Sequence, residues 1–250
     1  MSISPSVCGI KYIIKNNQEY MQDKVVNGKQ PNDTLIDIIK TYISGRTLTH
    51  FVNIGAHIGT LCLPVSLHIE KVTAIEAYQP TYLHLLENIQ LNNIINVSVH
   101  NVAIGNTEGP IYFMSETMIC PVERVNRYIN NTGGMHVYTE EDIQKNIRSS
   151  ALANKTATGI MTKLDTLEIG AFDILAVDIE GGEYEFLLGA TETLKKYKPI
   201  IIIEIWDNRK RQKENMPTTR ENIIDYVVSL KYKLIQNLGD DFIFEPLTDE

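Results

Sequence analysis

The residues best suited to catalysis stand between Asp178 and Glu183, in the sequence Asp-Ile-Glu-Gly-Gly-Glu. They follow the largely apolar segment Phe172–Val177, which predicts a strand. Ligands of open α/β sheets bind at the carboxyl ends of strands. Like charges this close are unfavourable unless they meet a cation, a proton or N–H donors, so we predict Asp178 and Glu180 as catalytic residues that accept or orient a proton. The alternative is that Glu180 and Glu183 only favour the N-terminus of the next helix.

A second chemical feature is the loop Asn53-Ile-Gly-Ala-His-Ile-Gly59, between a short apolar strand and a predicted helix running through residue 68. Gly55 permits a sharp turn, and Gly59 permits the backbone to approach a ligand or the strand closely. The helix N-terminus would offer N–H groups and a positive dipole to a ligand carboxylate. His57 takes the place of the second glycine in G-x-G-x-x-G, which disfavours a dinucleotide pyrophosphate. We predict that Asn53, Gly55, Ala56, His57 and Gly59 bind a ligand, and that His57 is a third candidate catalytic residue.

An acidic residue, Glu76, ends the next predicted strand, where a carboxylate can accept hydrogen bonds from both hydroxyls of a ribose. A surface carboxylate is the alternative, but the loop and the acid in this order predict a nucleoside site. The segment Asn101-Val-Ala-Ile-Gly105 follows the third strand, beside the expected adenine, although an ordinary strand-to-loop transition fits it equally well. The remaining predicted cofactor-binding residues are Glu76, Ala77, Asn101, Ala103 and Asp178.

A metal site is the open alternative at the same edge of the sheet. Glu204 lies near the end of the β-branched segment Pro199–Ile205, and with Asp178 it could hold a divalent cation. We favour a site without metal. The three cysteines are far apart and form no Cys-x-x-Cys pair, which indicates neither zinc nor disulfides and fits a reducing compartment.

Strands and helices alternate along the chain, which predicts an α/β fold with a mostly parallel sheet covered by helices on both faces. Strands are predicted at 51–54, 72–75, 97–102, 111–114, 172–177 and 199–205, and a helix at 183–196. The last two strands, Tyr232–Gln236 and Asp241–Glu245, are too close in sequence for a crossover helix and should pair antiparallel. This hairpin is typical of the Rossmann-like sheet of class I methyltransferases, whereas dinucleotide-binding dehydrogenases keep a parallel sheet.

The 250 residues suit one α/β domain, and we predict a single domain over 1–250. Residues 1–45 would form an N-terminal extension, including a possible strand at 9–14, and a leading helix. Residues 115–160 would form a loop-rich insertion, a kind of segment that often serves as a substrate lid. The net charge of −8 argues against general binding to nucleic acid or anionic membranes. The basic cluster Arg209–Lys213 fits a solvated loop best. Without an evident signal or membrane-spanning segment, we expect a soluble cytoplasmic protein of open oligomeric state.

Together these motifs resemble the FkbM family of methyltransferases from about Asn32 to Glu245. Their joint order is specific, while any one of them alone is not. The segments that carry the resemblance are Phe51–Gly59, Ala74–Ala77 with Pro80, Asn101–Gly105, Thr162–Leu167, Asp173–Glu183, Leu187–Ala190 and Lys198–Glu204.

Two residues of the loop depart from the family pattern. The family usually has Asp at the position of Asn53 and Asn at that of His57, and its compact Glu-Pro is here stretched to Glu76–Pro80. Asn53 has no charge to pair with a methionine ammonium. His57 could take over part of that role or contact the substrate.

The resemblance implies S-adenosyl-L-methionine as cofactor and O-methylation of a hydroxyl on a sugar or other small molecule. The expected partner is therefore a small-molecule or glycan acceptor. The departures at Asn53 and His57 leave open a catalytically weakened nucleoside-binding module. A peptide or RNA acceptor is a further alternative, and a nicotinamide oxidoreductase is disfavoured by His57.

Overall fold

The computed structural model describes residues 2–114, 136–141 and 157–247. The strands are β1 (Ser2–Ile3), β2 (Ile13–Ile14), β3 (His50–Ile54), β4 (Lys71–Ile75), β5 (Val97–His100), β6 (Ala103–Ile104), β7 (Gly109–Met114), β8 (His136–Thr139), β9 (Ala157–Thr162), β10 (Ile174–Val177), β11 (Ile200–Glu204), β12 (Tyr232–Leu238) and β13 (Asp241–Pro246). The helices are α1 (Tyr20–Val26), α2 (Asp33–Gly45), α3 (Cys62–Ser66), α4 (Gln79–Leu91), α5 (Glu183–Gly189), α6 (Thr191–Tyr197), α7 (Asn208–Lys213) and α8 (Arg220–Ser229).

Seven strands form the main sheet, in the order β12-β13-β11-β10-β3-β4-β5. The five strands from β11 to β5 run parallel. β13 is antiparallel to β11 and forms a hairpin with β12, so the predicted mostly parallel sheet with a C-terminal hairpin is confirmed. The chain moves outward from β3 to β5 and then returns on the other side of β3, which places the ligand crevice of such a sheet between β3 and β10.

Helices cover both faces of this sheet, as predicted. Because side chains alternate along a strand, Phe51 packs into the core under α2, α3 and α4, while Val52 packs into the core under α5, α6 and α8. Ile200–Ile203 of β11 are buried throughout, as expected of a central strand covered on both faces. None of the described helices is long and apolar enough to cross a membrane.

A second sheet has the order β6-β9-β7-β8 and includes the two described parts of the predicted insertion. β8 and most of β9 lie within the segment 115–160, which the sequence suggested was loop-rich. Both strands are short and are stabilised by pairing with β7, so their own residue pattern gave little signal. Residues 115–135 and 142–156, where the substrate lid was predicted, lie outside the described part of the chain.

The N-terminal extension is fastened to α4. Asn88 accepts a hydrogen bond from the Ile13 N–H at 2.8 Å and donates one to the Ile58 carbonyl at 2.9 Å. His84 bonds the Ile13 carbonyl at 2.8 Å. The extension therefore packs against α4 close to the glycine loop. Only Ile13–Ile14 of the predicted strand at 9–14 is a strand, and α1 was not predicted.

The helix predicted over 183–196 is divided into α5 and α6 at Ala190. Gly189 ends α5 against another segment of chain, because a Cβ on Gly189 would lie 1.9 Å from the Gly105 carbonyl oxygen. A close backbone contact of this kind is a tertiary feature that helical periodicity does not reveal. It explains the glycine at position 189, whereas a Cβ on Gly105 would lie 2.5 Å from Sδ of Met161.

Candidate active site

The glycine loop between β3 and α3 is fastened to the end of β4. The N–H groups of Gly55 and Ala56 donate to the Ile75 carbonyl at 2.9 and 3.0 Å. The His57 N–H donates to Oε2 of Glu76 at 2.8 Å. Three N–H groups at the start of the loop are therefore bound within the protein, so ligand contacts must come mainly from side chains and carbonyls.

Gly59 is packed tightly against Leu63 of α3 and Leu85 of α4. A Cβ on Gly59 would lie 2.6–2.7 Å from side-chain carbons of Leu63 and Leu85. The helix that follows, α3, has five residues and does not continue through His68 as predicted. A helix this short aligns few peptide dipoles. The predicted attraction between its N-terminus and a ligand carboxylate should therefore be weak.

Gly55 touches the segment at Asp178, and we expect its replacement by alanine to be strongly destabilising. Its φ is +79°, and a Cβ would lie 1.7 Å from the Asp178 carbonyl oxygen. Gly55→Ala should lower the free energy of unfolding by more than about 3 kcal/mol, because a backbone clash adds to the roughly 1–2 kcal/mol of a left-handed residue. Gly170, with φ +77° and no atom within 4 Å of its Cβ position, is the matched control. Equal urea midpoints for Gly55→Ala and Gly170→Ala would contradict this contact.

Glu76 follows β4 directly, at the predicted position, and is 9% exposed. Its Oε2 accepts the His57 N–H and its Oε1 the Tyr78 N–H, each at 2.8 Å. Burial raises the pKa of this carboxyl group, while His57 and the two N–H groups oppose that rise. Because each carboxylate oxygen can accept two hydrogen bonds, both oxygens retain capacity for ligand hydroxyls.

Asn53 and His57 are the polar side chains of the loop. Asn53 is 2% exposed, and its Oδ1 has no hydrogen-bond partner among the described residues. A buried acceptor requires a donor, so Asn53 fits a ligand that brings an ammonium or hydroxyl hydrogen. His57 is buried, with φ +49°, a conformation that is uncommon outside glycine and concentrates at functional sites.

Asn101 and Ala103 lie close to the segment that follows β4. Asn101 comes just after β5, which ends before the predicted limit. Its Nδ2 donates to the carbonyls of Glu76 and Ala77 at 2.9 and 3.0 Å. Ala103 is buried in a small core that also contacts Ala77. The amide of Asn101 thus supports the segment after β4.

Asp178 follows β10 directly, and its N–H donates to the last carbonyl of β3 at 3.0 Å. It is exposed to solvent although protein surrounds it at longer range. That surrounding protein raises the pKa of Asp178 well above its usual range, and the negative charges of Glu204, Glu180, Glu183 and Asp241 raise it further. A carboxylate with a raised pKa is a better proton acceptor near neutral pH.

Glu180 lies two residues further on, at φ +56°. Like His57, it holds a left-handed backbone conformation at a predicted catalytic position. Gly181 follows at φ +101°, and a Cβ there would lie 2.5 Å from Met216 and 3.2 Å from Trp206. The segment after β11, which carries Trp206 and Met216, therefore packs against the turn at Glu180.

Glu183 is fully buried and paired. Its Oε1 accepts the Gly181 N–H at 2.8 Å, and its Oε2 lies 3.3 Å from Nη1 of Arg211. Burial raises the pKa of Glu183 to about 7, against the lowering effect of both partners. Arg211 is 2% exposed, so the prediction that Arg209–Lys213 is a solvated loop is wrong at Arg211. The segment forms α7 instead, which turns this one guanidinium inward.

Glu204 and Asp241 are register partners on β11 and β13. Oε2 of Glu204 accepts a hydrogen bond from Nε1 of Trp206 at 2.9 Å. Burial and the charges of Glu204 and Asp240 raise the pKa of Asp241 to about 6. No group of three or more His, Cys, Asp or Glu side chains within the described ranges is arranged to hold a metal ion. The alternative of a cation between Asp178 and Glu204 therefore gains no support.

Asp241 should make stability depend on pH. Its pKa in the folded protein, about 6, exceeds its ordinary value of 3.8, so folding favours the protonated form. The stabilisation is complete at low pH and is lost as the pH rises through about 6. We expect Asp241→Asn to raise Tm at about pH 8 and to shrink the Tm difference between about pH 5 and pH 8. Calorimetry at both pH values checks this, and an unchanged difference would contradict it.

A cavity of about 420 Å³ opens beside Asp241, lined also by Leu238 and by residues 31–35 at the start of α2. Asn32 donates to Oγ1 of Thr60 at 3.3 Å, so this cavity lies next to the end of the glycine loop. A larger cavity, about 580 Å³, is lined by the second half of α2 and by His68. It lies at the opposite edge of the sheet, because His68 precedes β4.

Sequence comparison identifies one domain in this chain. The sequence model for the methyltransferase FkbM domain matches residues 53–234. The matched range begins at Asn53 of the glycine loop and includes Glu76, Asp178 and Glu180. No curated protein shows significant sequence similarity to the chain.

Structural comparison finds methyltransferases. A structure assigned as a caffeoyl-CoA O-methyltransferase of Staphylococcus aureus is 12% identical, with a TM-score of 0.50 over 92% of this chain and 91% of that one. TYW2 of M. jannaschii, in complex with AdoMet, is 15% identical, with a TM-score of 0.47 over 98% and 86% of the two chains.

The methyltransferase FkbM of Methylobacillus flagellatus is 17% identical, with a TM-score of 0.48 over 79% of this chain. The match covers 43% of that protein, so this chain spans less than half of its length. At such identities the S. aureus structure shows a shared fold alone. The domain match extends over most of the sequence, and the chain therefore belongs to the FkbM family of methyltransferases.

Proposed function

We propose that this protein transfers a methyl group from S-adenosyl-L-methionine to a hydroxyl of a sugar or another small molecule. The observation that carries this proposal is Glu76, a buried carboxylate fastened beside the glycine loop at the end of β4. A ribose presents two adjacent hydroxyls, and a carboxylate in this place is the acceptor that suits both. Membership of the FkbM family supports the same conclusion.

The residues around the loop suit the rest of this cofactor. The buried Oδ1 of Asn53 would accept a hydrogen bond from the ammonium of the amino-acid portion. Asn101 and Ala103 would border the nucleobase, and the backbone of Gly55 and Ala56 would line the middle of the site. When bound, the cofactor would supply a methyl group on a positively charged sulfur.

Asp178 and Glu180 are the proposed catalytic residues. As the acceptor hydroxyl takes the methyl group, its proton would pass to a carboxylate, and the raised pKa of Asp178 suits that role. His57 is the alternative proton acceptor on the opposite side of the crevice. Alignment of the two reactants can contribute roughly 7–11 kcal/mol, so positioning is expected to matter more than proton transfer.

The cavity of about 420 Å³ beside Asp241 is the proposed acceptor site. Four of its seven lining residues are polar: Asn32, Asp33, Thr34 and Asp241. Amide, hydroxyl and carboxylate groups hydrogen-bond to hydroxyls, which favours a sugar or another polyhydroxylated acceptor. Its lining residue Asp241 is the register partner of Glu204, which is the last residue of β11, the strand next to the one that ends before Asp178.

Two measurements on the wild-type protein test this function. Titration calorimetry should detect binding of S-adenosylhomocysteine, and labelled methyl transfer should be detected with sugars and glycans in a panel that also holds phenols, peptides and capped RNA. Absence of S-adenosylhomocysteine binding would overturn the cofactor. Binding without transfer to any acceptor would instead favour a nucleoside-binding module, and transfer confined to peptides or RNA would overturn the acceptor class.

A further inference from the structure

A buried pair of side chains joins the N-terminal extension to the glycine loop. Oε1 of Glu19 lies 3.8 Å from Nε2 of His57, and the two side chains are 1% and 11% exposed. The Glu19 carboxylate also caps α1, because it accepts the N–H groups of Met21 and Gln22 at 3.2 and 3.0 Å. Ser, Thr, Asp and Asn are the usual caps, and an acid at 1% exposure is costly unless it is paired. The contact of its carboxylate with His57 is a second role of Glu19.

His57 is held from two sides. Its backbone N–H donates to Oε2 of Glu76 at 2.8 Å, and its imidazole meets Glu19. Its φ of +49° fixes the direction in which the side chain leaves the loop. A chain of contacts therefore runs from Glu19 through His57 to the proposed ribose-binding carboxylate of Glu76.

The segment that carries Glu19 has its own attachments. Oε1 of Gln22 accepts the N–H groups of Lys15 and Asn16 at 2.7 and 3.0 Å. Nε2 of Gln30 donates to the Thr60 carbonyl at 2.6 Å, beyond the end of the glycine loop. Glu19 is therefore presented to the loop by a fixed frame, which a positioning role requires.

We infer that Glu19 is a positioning residue of the cofactor site, which acts by holding the imidazole of His57 in the orientation that faces the cofactor. This inference rests on the proposed function, since it assumes that His57 borders that cofactor. Glu19 does not itself contact the ligand. Without the Glu19 carboxylate, the imidazole loses one of the contacts that hold it, and binding must then restrain the side chain at a greater entropic cost.

The test is a double-mutant cycle on S-adenosylhomocysteine affinity, measured by titration calorimetry. Glu19→Ser removes the carboxylate but keeps a good cap for α1, and Glu19→Gln keeps the side-chain length. We expect either variant to weaken binding about 10-fold, equivalent to about 1.4 kcal/mol. In a His57→Asn background, the same Glu19 substitutions should change the affinity by less than about twofold, because their route through His57 is gone.

The matched control is Glu87→Gln. Glu87 forms an ion pair with Lys15 at 2.6 Å and so joins the same extension to α4, but it does not touch His57. This variant should leave the affinity within about twofold of wild type. If Glu19→Ser weakened binding equally in the wild-type and His57→Asn backgrounds, its effect would come from the structure of the extension, and the inference would be overturned. No loss of affinity in the wild-type background would overturn it as well. A wild-type protein that binds no S-adenosylhomocysteine would instead refute the proposed function itself.

Discussion

Replacement of Glu76 by alanine is expected to weaken S-adenosylhomocysteine binding by about 100-fold or more. Two charge-assisted hydrogen bonds to ribose hydroxyls would be lost, each contributing about 1.5–3 kcal/mol. The variant should also unfold at a lower temperature, because the His57 and Tyr78 N–H groups lose their acceptor. Calorimetric titration well below the new Tm separates the two effects.

Glu70→Ala is the control for Glu76→Ala. Glu70 is an exposed carboxylate that precedes β4, at the opposite end of the same strand, so its removal changes the net charge equally without touching the crevice. It should leave the affinity unchanged within error. A Glu76→Ala protein that binds within about fivefold of wild type would remove the central support for the nucleoside site.

Asp178→Asn is expected to change activity and stability in opposite directions. Methyl transfer should fall about 100-fold or more, which is the usual scale for loss of a general base. The pKa of Asp178 is raised by its surroundings and by four neighbouring carboxylates, so near neutral pH its charge destabilises the fold. A neutral amide removes that repulsion, and because solvent screens the exposed Asp178 side chain, Tm should rise by no more than about 2 °C.

The control for Asp178→Asn is Asp173→Asn, at the other end of β10. Oδ2 of Asp173 accepts the N–H groups of Thr49 and His50 at 2.8 and 3.0 Å, so Asp173→Asn should lower Tm. Its transfer rate per folded molecule should remain near that of wild type. If Asp178→Asn lowered Tm while transfer stayed normal, the acidic group at the end of β10 would be structural and another base would be needed.

The sequence predicted those parts of the site that depend on local pattern. Glu76 and Asp178 each end a strand, and in a parallel sheet the carboxyl ends of neighbouring strands meet at one edge. Their position at the same edge of the sheet therefore follows from strand assignment alone, whereas the order that places β3 between their two strands does not. The turn at Gly55 follows in the same way, although its contact with the Asp178 carbonyl depends on the pairing of β3 with β10.

The parts of the site that were not predicted depend on which face of a helix or segment packs inward. Arg211 stands in a run of basic residues, and only the direction of α7 buries it against Glu183. Asp207 caps α7, and such a residue is the signal that could have indicated this helix. Glu19 reaches His57 because the extension packs on α4, a long-range contact that leaves no periodicity in the sequence.

The bridge formed by Asn88 also sets the earliest point in synthesis at which the N-terminal extension can be joined to the glycine loop. Ile13 leaves the ribosome 75 positions ahead of the side chain that binds its N–H. The Ile58 carbonyl likewise waits for Asn88, which follows it by 30 positions. Before α4 has emerged, the nascent chain contains the N-terminal extension and the glycine loop but not Asn88, which binds both. The extension and the loop therefore cannot be joined through Asn88 before α4 has emerged.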